Sequence, residues 1–261
     1  MPQHHPVGGV VVGVDGSEYS HAAQRWATRD AELRAVALTT VHVDGEQAGP
    51  AEPSGARDTD VVHLPGRPVP VLVELSGQAQ LLVVGRHGRG EGRRKVLGSV
   101  SVGVLHHARC PVAVIHHEDG REHPRRPVLV AVDGSRTSSQ AAAIAFEEAS
   151  RRGVDLLALH VCKQGERRDL YGPGTDELQI DAERFLADTL AELRQRHPGV
   201  PVHLLVRFEN PAGQILVQAE RAQLVVLGSH GRGNVAGTLL GSVSTAVVDD
   251  SRIPVLVARR R

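Results

Sequence analysis

The chain has 261 residues, 41% of them hydrophobic but only 2% aromatic, and its 30 basic residues are matched by 30 acidic ones. That length and composition allow one large domain or two ordinary ones, with cores of Val, Leu, Ile and Ala such as a buried parallel sheet requires. The even charge argues against a nucleic-acid or anionic-membrane binder held by net charge.

Cys110 and Cys162 make neither a disulfide framework nor a metal-ligand spacing, and they fit a reducing compartment. The N-terminal "MPQHHPVGG" lacks the basic and apolar regions of an export signal, and no window reaches 18 apolar residues. A cytoplasmic location without membrane insertion is expected. The histidine pairs His106-His107 and His116-His117 are adjacent rather than convergent, so no metal centre is expected.

In chain order, "VVVGVDGS" (10–17) is an apolar run stopped by a turn, which reads as a strand with Asp15 at its end. "DGEQAGPAEPSGARDTD" (44–60) has no helical period and reads as a loose crossover. "LLVVGRHGRG" (81–90) is a strand running into a glycine loop, followed by "VLGSVSVGVLHHARCPVAVI" (96–115). The same three phrases then return as "VLVAVDGS" (128–135), "LVVLGSHGRG" (224–233) and "LLGSVSTAVVDDSRIPVLVA" (239–258). Gly85, Gly88 and Gly98 keep the intervals of Gly228, Gly231 and Gly241, so the chain is an internal duplication. The first domain is expected over 7–117, a linker over 118–126 and the second domain over 127–259.

The second copy is the fuller one. After the strand Val128 to Val132, Ser138 or Ser139 can cap an alanine-rich helix ending at Gly153. "VDLLALHV" is the next strand. Asp176 to Arg196 forms a helix with Leu178, Ala182, Phe185, Leu186, Leu190 and Leu193 on one side. A strand over "VPVHLLVRF", a helix over "NPAGQILVQAER", a strand over "AQLVVLG", a helix over 242–250 and a strand from Ile253 to Ala258 complete it.

The alternation predicts an α/β fold of two tandem Rossmann-like domains, each an open five-stranded, mostly parallel sheet with helices on both faces. Asp15 to Gly85 spans 70 residues and Asp133 to Gly228 spans 95, so the first domain is expected to lack the long helix and to have one thinly covered sheet face.

Both glycine loops fall at the carboxyl edge of the sheet, where such folds bind ligands. Glycines there let backbone N–H groups converge on an anion, and Gly98-Ser99 and Gly241-Ser242 then open helices whose free N–H groups favour negative charge. The same glycines also suit ordinary strand-end turns. Lys95 stands before Gly98 rather than after it, so this is not a Walker A loop. Ser99, Ser101, Ser242 and Ser244 offer hydroxyls. Asp15 and Asp133 can accept from a ribose or cap their own turns. Arg86, Arg89, Arg93, Arg94 and Lys95 make the first loop basic, either as a partner surface or as a solvated loop. No nucleophile elbow, zinc-protease motif or Walker B partner is present, and no catalytic residue is assigned.

The "VGVDGS" and "VAVDGS" starts and the doubled Gly-x2-Gly-x9-Gly-Ser pattern resemble the universal stress protein family in its tandem, ATP-binding form. The resemblance implies nucleotide-binding α/β domains, a cytoplasmic location and roles in stress or dormancy adaptation. It places adenine and ribose contacts on Ala131, Asp133, Val161, Leu227 and Gly228, and phosphate contacts on Gly231, Gly241, Ser242, Val243 and Ser244. In the first copy the corresponding positions are Gly13, Asp15, Val43, Val84, Gly85, Gly88, Gly98, Ser99, Val100 and Ser101.

It further implies an intrachain pseudo-dimer through the last strands, "CPVAVI" and "IPVLVA", with a further homodimer and an unidentified regulatory protein partner open to it. ATP, accompanied by Mg2+, is the implied ligand, with little or no turnover. A slow Mg2+-dependent nucleotide hydrolase and a nucleotide-free interaction scaffold are the alternatives.

Overall fold

The computed structural model describes residues 8–45, 61–88, 97–116, 125–162, 175–232 and 240–259. The chain divides into two compact units, Met1–His117 with Arg259–Arg261, and Glu118–Ala258.

In the first unit β1 (Val10–Val14) leads into α1 (Glu18–Arg34) and β2 (Leu38–Asp44). Then follow β3 (Val61–Pro65), α2 (Pro68–Leu75), β4 (Leu81–Gly85), α3 (Ser99–His107) and β5 (Val112–Ile115). The strand order is β3-β2-β1-β4-β5 and each neighbouring pair is parallel, with Val12 opposite Thr40 on one side and Val83 on the other. Val10 to Val12, Leu81 to Val83 and Val112 to Ile115 are fully buried, as the apolar runs require. Helix α1 packs on β1, β2, β4 and β5, while α2 and α3 pack on each other and on β2 and β5. Among the described residues β2 is followed directly by β3; of the expected crossover, 46–60 lie outside them.

The second unit runs β6 (Val128–Ala131), α4 (Arg136–Arg152), β7 (Leu156–Cys162), α5 (Thr175–Arg196) and β8 (Val202–Phe208). It closes with α6 (Pro211–Ala219), β9 (Leu224–Gly228), α7 (Ser242–Asp250) and β10 (Val255–Ala258). Its order, β10-β9-β6-β7-β8, is the same permutation, again with every neighbouring pair parallel. Helix α5 lies on β7, β8 and α4, and its inner stripe buries Ala182, Leu186, Leu190 and Leu193 as the helical period predicts.

The start of α4 differs from expectation. Ser135, not Ser138 or Ser139, is the N-cap: its φ and ψ are extended and its hydroxyl accepts from the Ser138 N–H at 3.2 Å. Ser138 and Ser139 sit in the first turn and donate their hydroxyls to the Ser135 carbonyl. The helix therefore begins as soon as the DGS turn ends. Ser17 caps α1 in the same way, accepting from Ser20. The copies also share a buried helix acid paired one turn on, Asp30 with Arg34 at 2.6 Å and Glu148 with Arg152 at 3.0 Å.

Candidate functional site

In each unit the first strand ends at an aspartate whose two carboxylate oxygens face different partners. Asp15 Oδ1 accepts from the Ser17 N–H at 3.0 Å and from the Ser17 hydroxyl at 2.6 Å. Asp133 Oδ1 accepts from the Ser135 N–H at 2.9 Å. The turn-capping role is thus present in both copies, on one oxygen. The other oxygen faces the glycine loop: a Cβ on Gly88 would stand 2.6 Å from Asp15 Oδ2, and one on Gly231 would stand 2.6 Å from Asp133 Oδ2. A side chain at either glycine would force this carboxylate to shift, which is a steric reason for glycine that φ does not supply.

Burial alone would push the Asp133 carboxyl up. Hydrogen bonds from Ser135, through hydroxyl and N–H, and from Ser138 and the Arg232 N–H outweigh it and hold the group below the ordinary carboxylate value.

The loops are tied back to the sheet edge by short bonds. The Gly98 N–H donates to the Arg86 carbonyl at 2.9 Å, and the Gly241 N–H donates to the Ser229 carbonyl at 2.7 Å. The Ser101 hydroxyl donates to the Gly85 carbonyl at 2.6 Å, and the Ser244 hydroxyl to the Gly228 carbonyl at 2.7 Å. These two serines, expected to offer hydroxyls to a ligand, commit their protons to the strand end. Ser99 and Ser242 remain exposed at the helix starts.

Gly98 and Gly241 are the N-caps of α3 and α7, and neither helix has a side-chain cap. Among the described residues no side chain caps the first-turn N–H groups, and the positive end of the helix dipole lies behind them. Gly85 and Gly228 allow a second close approach, since a Cβ would stand 2.8 Å from the Tyr19 backbone in one unit and 2.8 Å from that of Thr137 in the other.

In the first unit the expected residues come together. Gly13, Asp15, Val43, Val84, Gly85, Gly88, Gly98, Ser99, Val100 and Ser101 all line one cavity of about 560 Å³. Val14, Ser20, Val41, His42, Pro68, Leu72 and His87 complete its wall. Its apolar lining includes Val41, Val43, Leu72 and Val84; its polar lining includes the two glycine segments and the start of α3. Among the described residues Asp15 is the one carboxylate in the wall.

In the second unit Ala131, Asp133, Val161, Leu227, Gly228, Gly231, Gly241, Ser242, Val243 and Ser244 occupy the matching strand ends and helix start. Gly90, Gly92, Arg89 to Lys95 and Gly233 lie outside the described residues.

One repeated feature escaped the sequence reading. His42 Nδ1 donates to the Val14 carbonyl at 2.9 Å and His160 Nδ1 to the Val132 carbonyl at 2.6 Å, each fixing the residue before the aspartate. The signal was available, because "VHVD" and "LHVC" stand at the same place in the two copies.

The comparisons with known proteins concern the chain and its fold as a whole. A family model described as "Universal stress protein family" matches residues 46–116 and 124–259. Its first match starts beyond β2, so Asp15 falls outside it, but whole-chain relatives span that part. Universal stress protein Rv2005c of Mycobacterium tuberculosis (strain H37Rv) is 41% identical, with 97% of each chain covered. Universal stress protein Rv2623 of the same organism is 42% identical, with 96% of each covered. Among solved structures, a universal stress protein from Archaeoglobus fulgidus shares the fold over 97% of both chains, with a TM-score of 0.69 at 22% identity. By residues and by fold, the chain belongs to the universal stress protein family.

Proposed function

We propose that the chain is an adenine-nucleotide-binding member of its family, a cytoplasmic regulator of stress or dormancy adaptation that holds ATP, with Mg2+ brought alongside the phosphates, and does not turn it over. One observation carries the reading. A single cavity combines apolar side chains of β2, α2 and β4, the Asp15 carboxylate, and glycines beside the start of a helix without a side-chain cap. That set of chemistries matches base, ribose and phosphate. Among the described residues Asp15 is the one carboxylate in the wall, with its Oδ1 engaged by Ser17, and the other titratable side chains there are His42, which donates Nδ1 to the Val14 carbonyl, and His87.

The test is to denature purified protein and quantify the nucleotide released per chain by chromatography and mass spectrometry. The same measurement follows for Gly88→Ala and Gly231→Ala, in which the new methyl meets an aspartate oxygen where the loop must close on the ligand. ATP in the wild-type chain, reduced at least tenfold per site in the corresponding variant, is the expected result. A wild-type chain that carries no nucleotide and binds none on titration sinks the proposal in favour of the scaffold alternative.

A further inference from the structure

In the second unit Asp133 is held from both sides by a closed circuit of contacts that runs through α5. On the loop side, the Arg232 N–H donates to Asp133 Oδ2 at 3.2 Å and the Arg232 Nε–H donates to the Asp133 carbonyl. The Arg232 guanidinium carbon also lies 5.6 Å from the ring centroid of Phe185, in cation–π range. On the sheet side, the Phe185 ring stands 4.9 Å from the His160 imidazole, and His160 Nδ1 holds the carbonyl of Val132, the residue before Asp133. Between the two arms lies Gly134, with φ of 81°, where a Cβ would come within 2.9 Å of Phe185 Cζ. The DGS turn therefore rests directly on the aromatic ring.

We propose that Phe185 is a positioning residue for the second nucleotide site: its ring on α5 seats Arg232, and through Arg232 it fixes the backbone of the glycine loop against Asp133. The proposal rests on the nucleotide-binding reading above. The physical argument is preorganisation. A loop of small residues has many conformations, and each must be given up when its N–H groups close on an anion. An arginine anchored at one end by the Asp133 carbonyl and at the other by an aromatic face removes that freedom before the ligand arrives.

The first unit offers an internal control. His42, at the position of His160, has as ring neighbour His63 at 5.3 Å, with Asp44 beside both, and the strand partner of His160 is Val206 where that of His42 is His63. Phe185 thus serves one unit only.

The experiment uses the full chain and two readouts. Hydrogen exchange in nucleotide-free protein follows the amides of Gly228 to Arg232, and titration with ATP follows each site, the first blocked by Gly88→Ala where needed. Phe185→Leu keeps apolar bulk but removes the ring face. Arg232→Gln, at an exposed position, tests the same contact without touching the core, and Arg232→Lys keeps a cation over the ring.

The expected result is about tenfold faster exchange in both Phe185→Leu and Arg232→Gln, with no further increase in the double variant. ATP affinity of the second site falls about tenfold in parallel, Arg232→Lys recovers part of it, and the first site is unmoved. The acid limb of ATP affinity moves to higher pH in the two loosened variants, because the Arg232 N–H no longer supports the ionised Asp133. Unchanged loop exchange in Arg232→Gln overturns the proposal whether or not ATP binds. Faster exchange with unchanged ATP affinity overturns the link to binding. A chain that binds no nucleotide while its loop still loosens overturns the nucleotide reading and leaves the aromatic seat standing.

Discussion

Asp133 shows how one side chain can satisfy two readings that compete on paper. The sequence offers either a turn cap or a sugar acceptor at the end of a strand, and the structure divides the two between its oxygens: Oδ1 takes the Ser135 N–H, and Oδ2 looks toward the glycine loop. That division has a consequence for acid stability. The carboxyl is held below its ordinary value, so the folded state binds this proton less readily than the unfolded chain does. Its contribution to stability is complete above the unfolded value, about 4, and is lost as pH falls through the folded value. Asp133→Asn, which cannot ionise, is therefore expected to flatten the loss of stability below pH about 4 while changing the pH dependence little between pH 6 and 8. Urea unfolding at a series of pH values measures this directly, and a variant whose acid limb is as steep as that of the wild type contradicts it.

At the scale of elements, much of the second unit was legible because its periods are clean. The α5 stripe of Ala182, Leu186, Leu190 and Leu193 and the buried runs of β6 and β9 follow from spacing alone. The start of α4 was not, because Ser135, Ser138 and Ser139 are three chemically equivalent caps within five residues. Only the backbone decides among them: Ser135 is extended, and the other two already have helical neighbours. Phe185 was legible as part of the apolar stripe, but its contact with Arg232 was not, since 47 residues separate them in sequence and nothing in a helical period reveals a ring that faces a loop.

The cap assignment is testable. Ser135→Ala removes the acceptor for the Ser138 N–H and should cost about 1 kcal/mol of stability in the second unit. Ser139→Ala removes only a long, exposed bond to a carbonyl that other groups satisfy, and should cost a few tenths at most. Equal costs in urea unfolding would return the cap to an open question.

For the molecule as a whole, the duplication gives two units with the same strand order and, among the described residues, unequal helical cover. Where the second unit has α5 against β7 and β8, with Ala158, Cys162, Leu204, Val206 and Phe208 along the paired strands, the first has Thr40, Asp44, Val61, His63 and Pro65 at the matching registers. Asp44 and His63 are polar residues at positions where the second unit is apolar, and all five residues of β3 are at least partly exposed. The sequence count of 25 missing residues pointed to a thinly covered face, and the side chains along β2 and β3 are more polar than their counterparts along β7 and β8.

The buried stripe of α5 is worth about 1.5–3 kcal/mol for each large apolar side chain removed from water, with no equivalent term among the described residues of the first unit. The first unit should therefore unfold at lower denaturant. Trp26 is the only tryptophan in the chain and is buried in α1, so its fluorescence reports the first unit alone, whereas far-ultraviolet circular dichroism reports both. In urea the fluorescence midpoint is expected to precede the final part of the dichroism transition, and saturating ATP should raise the midpoint of whichever unit it fills by an amount set by its affinity. Coincident transitions without ligand would mean that the two units unfold as one, and that the missing helix is compensated by contacts outside its own sheet.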